Sequence, residues 1–187
     1  MAFVQRYAVV DVETTFGDPE RAAIMEVAVV LLDGRGEVTR WSSLVRSGSA
    51  PDPFVGMLTG INKNMLDGAP TFRDVAGHVD RMTEGAVVVA HNARFDMVAL
   101  GSAFRRLELG FERQALCTEQ LSRRFFPHLR FHNLNSLCGH LRVERKARHR
   151  ALEDALACAD AFTQLVDRFG EEAVLGSTTV HGALLRA

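Results

Sequence analysis

The segment VVDVETT (residues 9–15) carries two carboxylates inside a valine-rich run. Alternate side chains of a strand point to the same face, so Asp11 and Glu13 are predicted to lie side by side. Two like charges at that spacing repel each other unless something positive lies between them. The segment therefore predicts a buried strand with an acidic end, and the rest of the chain has to show whether a metal ion balances it.

Composition places few limits on the function of this chain. With 187 residues, it suits one domain with a full hydrophobic core. Its net charge of −1 gives no support for general binding of nucleic acid through phosphates alone, which usually requires a basic protein. A local site in which bound cations supply the positive charge remains open.

The sequence carries no signal for export or for a membrane. No apolar run reaches the length of a membrane span, and the residues after Met1 lack the pattern of a signal peptide. The three cysteines, Cys117, Cys138 and Cys158, are odd in number, far apart and without a CxxC pair. We therefore expect a cytoplasmic protein with no membrane contact and no disulfide framework.

Three strands come first in the predicted order of elements, and strands and helices are mixed after them. Strands are predicted at YAVVDVE, IMEVAVVLLD, GEVTRWSSLV and GAVVVAHN, with a hairpin turn at DGRG (33–36). Helices are predicted at FRDVAGHVDRM, after an N-cap at Thr71, and at FDMVALGSAFRRL, TEQLSRRFF and NLNSLCGHL. This order is typical of an α/β sandwich around a mixed sheet.

The last clear element is the helix ALEDALACADAFTQLVDRFG (151–170). One apolar stripe runs along it at steps of three and four residues, and its many alanines suit close packing on a sheet. Gly170 is the expected end of the helix. We therefore predict one domain over residues 1–170 and a C-terminal extension over residues 171–187, which is either a loose tail or a partner-binding segment.

Two further motifs place acidic residues at predicted helix starts. Asp96 closes HNARFD (91–96), where a strand gives way to a helix, and the first turn of a helix favours an anion. Asp154 closes HRALED (149–154), five residues after His149. That separation is about 500° of helical rotation, so the two side chains can converge only if His149 lies on the loop before the helix. Taken singly, each acid could also be an ordinary helix-start residue, and His149 a surface or capping histidine.

Together, DVETT, HNARFD and HRALED resemble the three motifs of the DEDDh exonuclease family. That family includes the epsilon proofreading subunit of bacterial replicative polymerase, RNase T and oligoribonuclease. Its pattern is Asp-x-Glu, His-Asn-x-x-Phe-Asp and His-x-Ala-x-x-Asp, and every one of those positions is filled here. The segment LTGINKNML (58–66) is similar to a further family segment beside the substrate. The resemblance implies a ribonuclease H-like fold with a central mixed five-stranded sheet flanked by helices.

The resemblance also implies 3′→5′ hydrolysis of a nucleic acid to 5′-mononucleotides with two divalent cations. Hard ions such as Mg²⁺ and Mn²⁺ prefer carboxylate oxygens. The implied metal ligands are Asp11, Glu13, Asp96 and Asp154, which count as catalytic residues together with His149 as the general base. The implied contacts to the terminal nucleotide are Thr14, Leu58, Thr59, Asn92 and Phe95. For Phe95 core packing is an equal alternative, and His91 and Asn92 can instead shape the end of the strand.

Several functions remain open at this point. The leading one is an epsilon-type exonuclease on single-stranded DNA 3′ ends, with proofreading and a DNA polymerase subunit as partner among the expectations. The alternative is a 3′→5′ exoribonuclease of the RNase T or oligoribonuclease type. A non-catalytic polymerase subunit and a free-standing enzyme are further alternatives, and a homodimer is left open.

Three features lie outside the motif pattern. Glu26, inside the apolar strand IMEVAVV, is interpreted as a buried, hydrogen-bonded structural acid, with a role behind the metal ligands left open. Phe16 stands where family members commonly have glycine, which predicts a turn shifted by one residue at the substrate edge. A zinc site is a weak alternative, because its candidate ligands match no usual spacing; these are His128, His132, Cys138 and His140.

Overall fold

A mixed sheet with strand order β3-β2-β1-β4-β5-β6 forms the centre of the computed structural model. The structure describes residues 5–33, 36–145 and 149–176, and the backbone of residues 179–181. The strands are β1 (Tyr7–Thr14), β2 (Ile24–Asp33), β3 (Gly36–Leu44), β4 (Val87–Ala90), β5 (Arg113–Cys117) and β6 (Thr179–His181). β1 pairs antiparallel with β2 and parallel with β4, which pairs parallel with β5.

Helices cover both faces of this sheet. They are α1 (Pro53–Thr59), α2 (Lys63–Asp67), α3 (Phe72–Thr83), α4 (Ala93–Arg105), α5 (Thr118–Phe125), α6 (Leu134–Leu141), α7 (Ala151–Phe169) and α8 (Glu171–Leu175). One hydrophobic core joins the sheet to α5, α6 and α7, and a second core joins its other face to α3 and α4. None of the helices that the structure describes combines the length and apolar character needed to cross a bilayer.

The alternation of β1 assigns its side chains to these two cores. Tyr7 and Val9 belong to the core beneath α7, whereas Val10 and Val12 belong to the core beneath α3 and α4. Because successive side chains of a strand point to opposite faces, the two carboxylates of β1 continue the row of Tyr7 and Val9. The acidic end of β1 therefore lies on the face that α7 covers.

The predicted mixed sheet flanked by helices is confirmed, and its five main strands gain a short sixth strand, β6, antiparallel to β5. The prediction did not identify β5, α1, α2 or α8, which have five to seven residues each and are too short to show a period. Residues 34 and 35 of the predicted hairpin turn lie outside the described residues, although β2 and β3 pair antiparallel on either side.

The first residues of the predicted C-terminal extension form α8, which is held against the sheet and α5. The Tyr7 hydroxyl donates a hydrogen bond to Glu171 Oε1 at 2.7 Å. Arg124 Nη1 donates to the Ala173 carbonyl at 3.1 Å. These contacts attach α8 to the core, and the division of the chain after residue 170 stays a prediction.

Replacing Phe104 by alanine should strongly destabilise the core beneath α3 and α4. The Phe104 ring is 1% exposed and packs on Phe72 and Phe111, with ring centroids 5.3 Å and 4.6 Å away. We expect Phe104→Ala to lower the free energy of unfolding by about 3–5 kcal/mol, as measured by urea denaturation. Phe54→Ala is the control, because the Phe54 ring is 64% exposed. Equal denaturation midpoints for the two variants would contradict the packing argument.

Candidate active site

The end of β1 places two carboxylates beside a third from the neighbouring strand. Asp11 and Glu13 occupy alternate positions of β1, and Glu13 lies directly opposite Glu26 of β2 in the antiparallel register. The register shifts after Glu13, so the pairing becomes irregular at Thr14. The predicted side-by-side placement of Asp11 and Glu13 is therefore present, with Glu26 as an additional acidic neighbour.

Asp96 reaches this strand from the first turn of α4. Asn92 precedes the helix with a left-handed backbone, at φ 66°, which turns the chain sharply between β4 and α4. Asp96 is 3% exposed, and its Oδ1 accepts the backbone N–H of Val12 at 3.1 Å. Since Val12 lies between the two carboxylates of β1, the hydrogen bond fixes Asp96 next to both.

His149 and Asp154 come from the two sides of the start of α7. His149 lies on the loop before the helix with a left-handed backbone at φ 57°, and the helix begins at Ala151. The His149 backbone N–H donates to Asp154 Oδ2 at 3.1 Å, which closes the loop over the first turn. One ligand atom each from Glu13, His149 and Asp154 lie within 4.8 Å of one another. His149 and Asp154 therefore converge in the way that their spacing required.

Burial and mutual repulsion raise the pKa values of these carboxyls. Burial, followed by the charges of Asp96, Glu13 and Asp154, raises the pKa of Asp11 well above its usual range. Burial also raises the pKa of Asp96, although the Val12 N–H opposes the shift. The pKa of Glu13 rises from 4.5 to about 7, because of burial and then the charges of Asp154 and Glu26. Such a cluster keeps its charge at neutral pH only when cations compensate it.

Two arginines that the sequence analysis missed supply part of that compensation. Arg145 forms an ion pair with Asp154 Oδ1 and also donates to Asn135 of α6. Arg150 pairs with Glu26 at 2.8 Å. Both belong to the basic run RVERKARHR (142–150), and the charge of that run was visible in the sequence. Which of its side chains turn inward depends on where α6 and α7 pack.

The residues predicted to touch a substrate differ in how accessible they are. The Leu58 side chain is 41% exposed on α1. Asn92 and the half-buried Phe95 line a cavity of about 360 Å³. Thr14 and Thr59 are buried, and their hydroxyls donate to the carbonyls of Phe16 and Val55. Leu58, Asn92 and Phe95 can therefore meet a ligand through side chains, whereas the threonines offer mainly backbone groups.

α1 is tied directly to the end of β1. The backbone N–H of Asp52, the N-cap of α1, donates to the Thr15 carbonyl at 2.8 Å. Thr15 also donates its own N–H to the Ala23 carbonyl at 2.9 Å, which closes the loop that holds the exposed Phe16. Leu58 and Phe16 therefore lie on segments anchored to the strand that carries Asp11 and Glu13.

The histidines and cysteine considered for zinc serve other contacts. His132 Nδ1 lies 2.9 Å from Ser122 Oγ, and His128 and His140 pack around Phe126. Within the described parts of the chain, the one group of three or more candidate ligands close enough to share an ion is Glu13, His149 and Asp154. This oxygen-rich group fits a hard divalent cation and lacks the thiolates typical of a structural zinc site.

A mixed sheet flanked by helices in this arrangement is the fold of the ribonuclease H-like exonucleases. One solved structure with this fold is exonuclease X in complex with 5′-overhanging duplex DNA. Its TM-score is 0.74 at 24% identity, and the alignment covers 88% of this chain and 93% of that one. The predicted fold class is thus confirmed.

The RNase T family model, which describes an exonuclease, matches residues 8–162. Because the match covers most of the chain, the chain belongs to this exonuclease family, and the resemblance drawn from the three motifs is confirmed. The family is one of exonucleases, so the prediction that this chain is an exonuclease is also confirmed.

Curated relatives agree with the family assignment. A PolC-type DNA polymerase III from Oceanobacillus iheyensis is 35% identical over 171 residues, which cover 90% of this chain and 12% of that protein. The epsilon subunit of DNA polymerase III from Aquifex aeolicus is 28% identical over 162 residues, which cover 86% of this chain and 80% of that subunit. The chain thus spans only about an eighth of the PolC-type relatives.

Removal of divalent ions should make the protein less stable as the pH rises. Because the pKa of Glu13 is raised from 4.5 to about 7 in the folded state, protonation of Glu13 stabilises the fold. That stabilisation is fully present below a pH of about 4.5 and is lost as the pH rises through about 7. In chelator, the melting temperature should therefore fall over that interval, and Mg²⁺ or Mn²⁺ should restore it most at the upper end.

Differential scanning fluorimetry across this pH range would measure the effect. Glu13→Gln should flatten the pH dependence, whereas Glu37→Gln, a change on the exposed strand β3, should leave it as in the wild type. A melting temperature that rises with pH in chelator, or that divalent ions leave unchanged, would contradict this account of the carboxylate cluster.

Proposed function

We propose that this chain is a metal-dependent 3′→5′ exonuclease that removes 5′-mononucleotides from single-stranded DNA. The observation that carries the proposal is the convergence of Glu13, His149 and Asp154 within 4.8 Å, next to Asp11 and Asp96. Those five residues are the ones that the resemblance to the family's three motifs implies as catalytic. A protein that only bound nucleic acid would gain nothing from burying so many acidic groups together.

Asp11, Glu13, Asp96 and Asp154 would hold two divalent ions, either Mg²⁺ or Mn²⁺. Such ions, when bound, lower the pKa of water and neutralise the charge that develops on a phosphodiester. The buried carboxyls with raised pKa values fit this role, because ionising them requires positive charge nearby.

His149 would take the proton from the attacking water. Its loop position and its backbone hydrogen bond to Asp154 hold the imidazole at the edge of the carboxylate cluster. Water oxygen then bonds to phosphorus as the bond from phosphorus to the 3′ oxygen breaks, and that oxygen takes up a proton from bulk water. The products are a 5′-mononucleotide and a strand with a new 3′ hydroxyl. Histidine suits the role because a neutral imidazole nitrogen can accept a proton from water.

The terminal nucleotide would lie between α1 and the start of α4. Leu58 would wedge against the base from α1, while Phe95 and Asn92 would line its other side beside the 360 Å³ cavity. Thr14 and Thr59 would contribute backbone contacts. Apolar and aromatic contacts accept any base, which suits an exonuclease without sequence preference.

DNA is the proposed substrate because the curated relatives include a PolC-type polymerase and an epsilon subunit. For the same reason we propose a replicative polymerase subunit as a partner and proofreading as the role. An exoribonuclease of the RNase T type is the second candidate, because the matching family model describes an exonuclease without specifying DNA.

Replacement of His149 should abolish most hydrolysis without weakening substrate binding. We choose His149→Asn, because asparagine tolerates the left-handed backbone at this position and cannot act as a general base near neutral pH. The expected loss in kcat is about 10²–10⁴-fold with little change in KM, as measured on 3′-labelled oligonucleotides with Mg²⁺. His128→Ala, at an exposed histidine, is the control. Near-normal hydrolysis by His149→Asn at neutral pH would refute the general-base role.

Matched single-stranded DNA and RNA of one sequence would distinguish the two candidate substrates. We expect faster release of mononucleotides from DNA, dependent on Mg²⁺ or Mn²⁺ and abolished by chelator. Asp11→Ala should be inactive on both, which shows that the activity belongs to this protein and excludes the binding-only alternative. Much faster cleavage of RNA would replace the leading proposal with the exoribonuclease.

A further inference from the structure

Glu26, which is buried, forms an ion pair with the partly exposed Arg150 beside the candidate site, and the proposed reaction does not use this pair. Arg150 Nη2 lies 2.8 Å from Glu26 Oε1, and Arg150 Nε lies 3.1 Å from Oε2. Oε2 also accepts the backbone N–H of Ala151 at 2.9 Å. Glu26 is only 4% exposed. Both of its oxygens are thus engaged by N–H donors from two consecutive residues at the start of α7.

The position of Glu26 makes this pairing necessary. It lies directly opposite Glu13 in the antiparallel register of β1 and β2, and like charges at such positions destabilise a sheet. Arg150 offsets that repulsion and lowers the pKa of Glu13, against the larger effects that raise it.

The same contacts define where α7 begins. Arg150 occupies the N-cap position but makes no capping hydrogen bond to the helix with its side chain. The first N–H groups of a helix need hydrogen-bond acceptors. Glu26, on the strand β2 that α7 packs against, accepts the N–H of Ala151. Arg150 and Ala151 lie between His149 and Asp154 in sequence. Anchoring these two residues therefore anchors the segment that carries both functional side chains.

We propose that Glu26 and Arg150 are positioning residues that hold His149 and Asp154 against Glu13. Glu26 fixes the start of α7 to β2. The hydrogen bond from the His149 N–H to Asp154 in turn fixes the loop that holds His149. The distance between the ligand atoms of Glu13 and Asp154 then depends on a contact that touches no substrate. The proposal deepens the proposed function and rests on it for its kinetic test, but not for its metal-binding test.

Two single substitutions test the ion pair between Glu26 and Arg150. Arg150→Lys keeps the charge but loses the paired N–H groups, and Arg150 is exposed enough at its side chain, at 41%, to tolerate the change. Glu26→Gln keeps an acceptor for Ala151 but loses the charge. We expect each to weaken Mn²⁺ binding, measured by calorimetry, and to lower kcat by about 10–100-fold with KM little changed. Glu37→Gln, in the exposed ion pair with Arg40, is the matched control.

A double substitution, Glu26→Met with Arg150→Met, separates positioning from stability. It removes both charges together and so leaves neither charge unpaired, and replacing a buried charge and its partner by apolar side chains is often neutral for stability. If the pair only stabilised the fold, this variant would bind Mn²⁺ and hydrolyse DNA like the wild type, which would overturn the proposal. We expect a melting temperature near that of the wild type with Mn²⁺ affinity and kcat as low as in the single variants.

Mn²⁺ binding also distinguishes failure of this proposal from failure of the proposed function. A wild type that binds Mn²⁺ but cleaves neither DNA nor RNA would refute the nuclease, while the Mn²⁺ affinities of the Glu26 and Arg150 variants would still decide the positioning role. Wild-type Mn²⁺ affinity in both single variants would refute positioning, whatever the activity.

Discussion

Repulsion between carboxylates at the end of β1 is the constraint around which this structure is organised. Asp11 and Glu13 share a strand face with Tyr7 and Val9, so the apolar row beneath α7 ends in acids. Burial makes each of these charges costly, and their proximity raises the cost further. Such an arrangement persists in folded proteins when positive charge or N–H donors face it, and here the charge of Arg150, from a distant part of the chain, opposes the rise in the pKa of Glu13.

Protein groups compensate part of this charge. Asp96 accepts a backbone N–H from β1, Asp154 pairs with Arg145, and Glu26 pairs with Arg150. Glu26 and Asp154 each accept N–H donors on both oxygens, whereas the carboxyls of Asp11 and Glu13 retain raised pKa values. In the proposed function, Glu26 fixes the scaffold, and Asp11 and Glu13 hold ions.

The sheet places these groups at an edge suited to a site. β1 and β4 run parallel, and their carboxyl ends deliver Asp11 and Glu13 on one strand and the turn to α4 on the other. Open α/β sheets commonly bind ligands at this edge, because the loops that follow the strands are free to vary there. Left-handed backbone at Asn92 and His149 lets the chain turn tightly enough to bring α4 and α7 to this edge.

The sequence by itself determined the main strands, the long helices and the five motif residues, because period and spacing are local properties that the residues carry with them. Asp11 and Glu13 could be placed side by side from the alternation of a strand, and His149 on its loop from the rotation of a helix. The short elements β5, α1 and α2 and the inward turn of Arg145 and Arg150 could not be predicted in this way. Only tertiary structure decided that β2 sets Glu26 opposite Glu13 and beneath the start of α7, since that contact joins residues 124 positions apart and depends on how a whole helix packs on a sheet.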